Sequence, residues 1–225
     1  MPPSAERPTA VVVASGNAHK VVELRAMLRD AVPGLTVTGM KDHGVPPEIE
    51  ETAPDFAGNA KLKADGIAAW LRARGVDGAT VVLADDSGVC VDAFDGAPGV
   101  ISARFAGEPS DDAANNEKLV AQLKARGLSE SAGHYVCVLA ISRVDGAPIE
   151  GEPTKFFDGR WDVTLRTQAR GSGGFGYDPH AWLPGEDRTV AELEPAEKAA
   201  LSHRGAAFRE FAAWLADGVA RVRGA

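Results

Sequence analysis

The chain has no surplus of positive charge, no apolar run of membrane-spanning length and only two cysteines. Its net charge of −8 disfavours a nucleic-acid polymer or an anionic membrane surface as partner, because the mean field repels both. A small anion is still admissible, since a few local cations or a metal ion outweigh that field. Cys90 and Cys137 are far apart and show no metal-ligand spacing. Both lie in strand-like apolar surroundings and read as small core residues in a reducing cytosol. The opening residues, MPPSAERPTA, lack the basic patch and apolar core of a secretory signal. No stretch approaches the roughly 20 apolar residues of a bilayer span, and repeats, low-complexity tracts and a clear linker are missing too. The expectation is a cytoplasmic protein, with residues 1–9 a disordered or loosely held tail.

What is present is an ordinary globular composition, 44% hydrophobic and 25% charged over 225 residues, enough for one large domain or two closely joined lobes. TAVVVAS reads as a buried strand and is followed by a helix near 18–29, with Val21, Leu24 and Leu28 on one face. LTVTG is a second strand, and GVPPEIEETAP an acidic, Pro-rich loop. A helix near 56–74 leads to a strand that ends at Asp85 and Asp86, and GVCVDAF alternates as a further strand. A helix near 113–126 precedes the apolar HYVCVLAISR and the strand region TKFFDGRWDVTL. The last helix, near 202–222, carries Phe208, Phe211, Leu215, Val219 and Val222 on one stripe. Interleaved strands and helices, with hairpin-like pairs in the second half, predict an α/β fold with a mixed sheet.

Five segments carry chemistry. In SGNAHK, residues 15–20, a strand gives way at once to a helix whose free N–H groups form a natural phosphate site. Ser15 or Asn17 as a plain helix cap is the competing reading. Lys20 opposes the helix dipole in the first turn, and a bound anion resolves that conflict. The G-x-x-x-x-G-K-[ST] spacing of a Walker loop is absent. In FAGNAKLKADGIAAWL, helical spacing puts Lys63 in the apolar stripe, where it needs a partner: a structural acid, or a phosphate. Lys61 lies round the helix, in solvent.

Asp85 and Asp86 are adjacent at a predicted strand end, where repulsion and desolvation are costly. Neighbours on a strand face opposite ways, so only one of them can serve a given site. A strand-end carboxylate joined by Glu48, Glu50 or Glu51 from the acidic loop suits Mg²⁺, which takes one or two protein carboxylates and keeps waters and substrate phosphates. An Asx turn or cap is the structural alternative. GSGGFGYDP formally contains G-x-G-x-x-G, but Tyr177-Asp178-Pro179 cannot open a helix and no βαβ unit follows, so a dinucleotide fingerprint is rejected. Its glycines, beside Phe175 and Tyr177, suit backbone approached by a flat ligand or a hairpin loop with core aromatics. In EKAALSHRG, Ser202 can cap the last helix. His203 and Arg204 then sit at its positive end with Lys198 just upstream, which an anion or carbonyl-rich ligand, or a surface salt bridge, would account for.

Together SGNAHK, ADDSG with GAPGVISARFAG, GGFGYDP and EKAALSHRG resemble the Ham1/inosine triphosphate pyrophosphatase family, in order and approximate spacing, from about residue 11 to 214. The resemblance implies a single domain over residues 10–225: an elongated, twisted mixed sheet flanked by helices, in two lobes with a cleft between them. It implies hydrolysis of ITP, dITP and XTP to the monophosphate and pyrophosphate, a Mg²⁺ requirement and a homodimer. Carried over position by position, Asp86 matches the proton acceptor and metal ligand, and Glu51 the loop carboxylate that joins it. Ser15, Gly16, Asn17, Ala18, His19, Lys20, Lys63 and Ser87 match the phosphate and ribose side, with Arg104 a further phosphate candidate. Phe175, Gly176, Tyr177, Asp178, Lys198, His203 and Arg204 match the base pocket. One departure is Gly58, where many members carry Glu ahead of Asn-Ala.

Overall fold

The computed structural model describes residues 8, 10–16, 18–32 and 34–223, without the side chains of 18–20, 23, 29–31 and 217–223. Apart from Pro8, the expected N-terminal tail lies outside these residues, as do the side chains of Val219 and Val222 on the last helix. Six strands, β1 (Ala10–Ala14), β2 (Thr36–Gly39), β3 (Val81–Val91), β4 (Glu130–Arg143), β5 (Lys155–Arg166) and β6 (Ala181–Trp182), form one sheet. Among the described residues five α-helices accompany them: α1 (Ala18–Ala31), α2 (Phe56–Arg72), α3 (Asp112–Ala125), α4 (Pro195–Leu201) and α5 (His203–Arg223). The strand order is β2-β1-β3-β4-β5-β6, parallel on both sides of β1 and antiparallel between β5 and β6. The predicted α/β class with a mixed sheet is therefore present. Among the described residues no helix is long and apolar enough to cross a membrane.

The chain divides into two compact units: one within residues 1–86, 138–157 and 207–225, the other of residues 87–137 and 158–206. In the first, β1 and the start of β3 are continuous Val, Leu and Ala, as strands covered on both faces require. Val11, Val12, Val13, Val81, Val82 and Leu83 are buried with Leu24 and Leu28 of α1 and Ala60, Ala64, Ile67 and Leu71 of α2. Phe208, Phe211 and Leu215 of α5 are buried too, and Phe211 meets the Phe157 ring at 5.4 Å. The second unit has its own core, in which Val89, Val91, Leu119, Leu123, Leu165 and Tyr177 pack together. Cys137 is buried, but Cys90 is only partly so.

Two local expectations change. The strand does not end at Asp85 and Asp86: β3 runs unbroken from Val81 to Val91. The strand that ends there is its neighbour. Ala14 pairs with Ala84 in the last register position of β1, so β1 stops level with the two acids while β3 continues. Alternation resumes in SGVCV, and that keeps the chain extended. The second change is at Asp178–His180, which forms a 3-10 turn. Pro179 is tolerated there because the first turn of a helix needs no N–H from it.

Candidate active site

In the first unit the order β2-β1-β3 puts a topological switch point at the carboxyl ends of β1 and β3, where open α/β sheets collect ligands. Ser15 follows Ala14 there as Asp85 follows Ala84, so the two motifs, some seventy residues apart in sequence, lie side by side. Ser15 is partly buried and Gly16 exposed; Asn17 and the side chains of Ala18, His19 and Lys20 lie outside the described residues. Both acids are buried, Asp85 at 4% exposure and Asp86 at 6%.

Lys63 from α2 answers Asp86. Its Nζ donates to Asp86 Oδ1 at 2.7 Å and to Glu51 Oε1 at 2.9 Å. Burial acts to lower the Lys63 pKa, but the charge and hydrogen bonds of Asp86 and Glu51 outweigh it, and the net shift is upward, so the ammonium stays charged. Of the three acids of that loop, Glu51 is the one that meets Lys63. Further contacts hold the loop to α2. Buried Asn59 accepts from Ala53 N–H at 2.9 Å, and Ile49 packs where a side chain at Gly66 would stand, its Cδ1 2.5 Å from a Cβ there. Lys61 instead pairs with Asp65.

Gly58, the departure from the family pattern, is the third residue of α2, and its N–H is capped by Asp55 Oδ1 at 2.7 Å. A Cβ at this position would stand 2.4 Å from Ala53 Cβ. The bare residue here is a packing requirement of the loop–helix junction.

The second unit brings the other motif residues together. Asp178, 3% exposed, accepts from Tyr135 Oη at 3.1 Å through Oδ1, and from Phe175 N at 2.9 Å and Lys198 Nζ at 2.6 Å through Oδ2. Phe175 presents a ring that is 41% exposed, with Lys198 Nζ 4.4 Å and Arg204 Cζ 5.7 Å from its centroid. Such an exposed aromatic face flanked by cations suits a planar, electron-rich ligand. His203 and Arg204 are buried, which rules out a surface salt bridge as their reason for being there. Ser202 caps α5 as expected, accepting from Gly205 N at 3.0 Å. Arg204 Nη2 donates to Ser87 Oγ at 3.1 Å.

Tyr177 belongs to the core, and its hydroxyl donates to Ser102 O at 2.8 Å; burial first and then the charge of Asp112 push its pKa up. Arg104 is exposed and pairs with Glu108 four residues on.

The residue that sequence reading missed is Tyr135. It sits in an apolar strand where it reads as core, yet its ring lies parallel to His203, centroids 5.0 Å apart and planes at 9°, while its hydroxyl holds Asp178. A buried phenol needs a hydrogen-bond partner, and that was the available signal. Burial, then the negative charge of Asp178, raises the Tyr135 pKa well above its ordinary value, so it remains a donor.

Among the described residues no group of three or more His, Cys, Asp and Glu side chains could hold a metal ion. A caged site of the zinc or calcium kind is therefore not built from them. Two carboxylates sharing one cationic partner, Glu51 and Asp86, are instead the donor set of an ion that keeps waters and substrate oxygens, so the residues fit Mg²⁺.

The sequence pattern of the Ham1 family matches residues 11–214. The chain is 43% identical over 204 residues to a dITP/XTP pyrophosphatase of Streptomyces avermitilis, covering 90% of this chain and 94% of that one. It is 44% identical to one of Chromobacterium violaceum, covering 91% and 96%. Among solved structures, the HAM1 protein of Coxiella burnetii superposes with a TM-score of 0.80 at 35% identity, over 92% of this chain and 98% of that one.

Proposed function

The chain belongs to the Ham1 family, and from that premise we propose that it is a nucleoside triphosphate pyrophosphatase acting on the non-canonical purine nucleotides dITP, ITP and XTP. Its relatives' named activity supports this reading. The observation that carries it is the Lys63 ammonium held between Glu51 and Asp86 beside the end of β1, which supplies cation and carboxylates where a triphosphate needs both.

Glu51 and Asp86 would hold Mg²⁺. When bound, that ion offsets phosphate charge and acidifies water. Asp86 accepts the proton of the attacking water as its oxygen bonds to the α-phosphorus and the bond to the bridging oxygen breaks. Pyrophosphate leaves with that electron pair. Lys63, Lys20 and the N–H groups that open α1 stabilise the charge building on it. Ser15, Gly16, Ser87 and Arg104 complete the phosphate and ribose side.

The base stacks on Phe175, and the Lys198 and Arg204 donors read a 6-keto oxygen. An adenine amino group would face those donors without an acceptor, a mismatch that buried polar sites punish by orders of magnitude. The homodimer implied by the resemblance and the cytoplasmic location expected from the sequence belong to the same proposal.

The test is hydrolysis of dITP, ITP, XTP, dUTP and the standard triphosphates with and without Mg²⁺, reading pyrophosphate and monophosphate. Preference for dITP, ITP and XTP with Mg²⁺ is expected. A preference for dUTP would shift the assignment to a pyrimidine enzyme, and metal-independent binding without product would make the chain a nucleotide-binding protein.

A further inference from the structure

The segment 171–176 contains four glycines, at 171, 173, 174 and 176, and three of them have positive φ: +80° at Gly171, +73° at Gly174 and +61° at Gly176. A stretch so rich in glycine loses much conformational entropy when ordered, yet it carries Phe175 and leads into Asp178. Something must hold it. Part of the answer is internal: Asp178 Oδ2 accepts from Phe175 N, and Gly173 N donates to Ala191 O at 3.0 Å.

The rest comes from α3, sixty residues earlier. Asp112 Oδ2 accepts from Gly176 N at 2.7 Å, and Asn116 Nδ2 donates to Gly176 O at 2.9 Å. The two side chains lie one turn apart on α3, so they face the same way. They take both polar groups of a single peptide-bearing residue, the one directly after Phe175.

Neither residue is needed there by its own helix. The cap of α3 is Asp111, whose Oδ1 accepts from Ala113 N and Ala114 N. The buried neighbour Asn115 does the structural tying, accepting from Ala106 N at 2.6 Å and donating to Ala103 O at 3.0 Å. Asn116, moreover, makes its contact at a cost: its Oδ1 is buried with no hydrogen-bond partner among the described residues. An amide placed for stability alone would not leave its acceptor unmet.

We propose that Asp112 and Asn116 are positioning residues for base selection, clamping Gly176 so that Phe175 and the Asp178–Lys198 pair meet the purine in one fixed arrangement. The assignment rests on the pyrophosphatase reading above. Its physical content is preorganisation: ordering done before binding is not subtracted from affinity, and a donor held in place discriminates where a mobile one adapts.

The experiment compares Asp112→Ala, Asp112→Asn and Asn116→Ala with the parent protein, measuring kcat and KM for dITP and dATP. Loss of one clamp bond should raise KM for dITP by about fivefold with a smaller fall in kcat, and narrow the dITP-over-dATP ratio of kcat/KM. Asp112→Asn keeps an acceptor for Gly176 N–H and should recover most of both. A merely structural role would lower kcat for both nucleotides with the folded fraction and leave KM and the ratio unmoved; that result, or three variants like the parent, overturns the assignment. A parent protein that does not hydrolyse dITP at all overturns the pyrophosphatase reading, and the positioning role falls with it. The first outcome is distinguished by an active parent.

Discussion

Lys63 Nζ stands 2.7 Å from Asp86 Oδ1, on a lysine whose side chain is only 16% exposed. A buried ammonium is tolerable because Asp86 and Glu51 both face it. If Asp86 is also the proton acceptor, Asp86→Asn keeps shape and hydrogen bonding but removes the base. Turnover of dITP should fall about 10²–10⁴-fold while the circular dichroism spectrum and melting cooperativity stay those of the parent. Near-normal hydrolysis would take Asp86 out of the chemistry.

Removing the ammonium instead leaves two carboxylates converging without their shared cation. Lys63→Ala should therefore lower Tm, and Mg²⁺ should restore more of the loss in the variant than it adds to the parent, since the ion neutralises the same two oxygens. Triphosphate binding should weaken more than monophosphate binding. A Mg²⁺-dependent Tm shift no larger than the parent's would argue that Glu51 and Asp86 do not share an ion.

The Gly58–Ala53 contact yields a sign reversal. A Cβ at position 58 meets Ala53 Cβ at 2.4 Å, too close for either backbone-anchored atom to yield cheaply. Gly58→Ala should cost about 1–3 kcal/mol of stability, despite the roughly 0.5–1 kcal/mol that Ala gains over Gly in a helix. In an Ala53→Gly background the main obstacle is gone, with only Asp55 Oδ1 at 3.1 Å left to shift slightly, and the same change should stabilise. Glu at position 58 should then be accepted as well, since a Glu three residues past the cap can reach back to the cap N–H. Equal effects of Gly58→Ala in the two backgrounds, measured by denaturant unfolding, would dismiss the coupling.

The motifs were legible because each is local: a strand followed at once by a helix, paired acids after an apolar run, a serine opening a helix. Lys63 was legible as an inward lysine through its 3.6-residue period, and its answering acids could be guessed from charge alone. What stayed hidden depends on register or on distance in sequence. That β1, and not β3, stops at the acids follows from the pairing of Ala14 with Ala84, which no single-strand pattern encodes. Glu51 could not be separated from Glu48 and Glu50 until Asn59 and Gly66 fixed the loop on α2. Asp112 and Asn116 read as an ordinary helix start, because their partner Gly176 lies some sixty residues away.

Tyr135 makes the final prediction one of pH. Its phenol is held neutral by burial and by the Asp178 carboxylate, so its folded-state pKa lies above the ordinary value of 10.0. A native proton retained where the unfolded chain has lost one makes stability fall as pH rises. The contribution is complete below pH 10.0 and is lost progressively above it. Tyr177, also raised by burial, adds to the same slope. Tyr135→Phe keeps the ring against His203 but deletes the hydroxyl. At neutral pH it should cost about 1–3 kcal/mol, the worth of a hydrogen bond to a charged acceptor. Above pH 10 its stability should fall less steeply than the parent's, leaving the Tyr177 share. The two denaturation curves should therefore converge with rising pH. Parallel curves from pH 7 upward would show that Tyr135 ionises no differently in the folded and unfolded chains, and that its bond to Asp178 is not what holds that carboxylate in place.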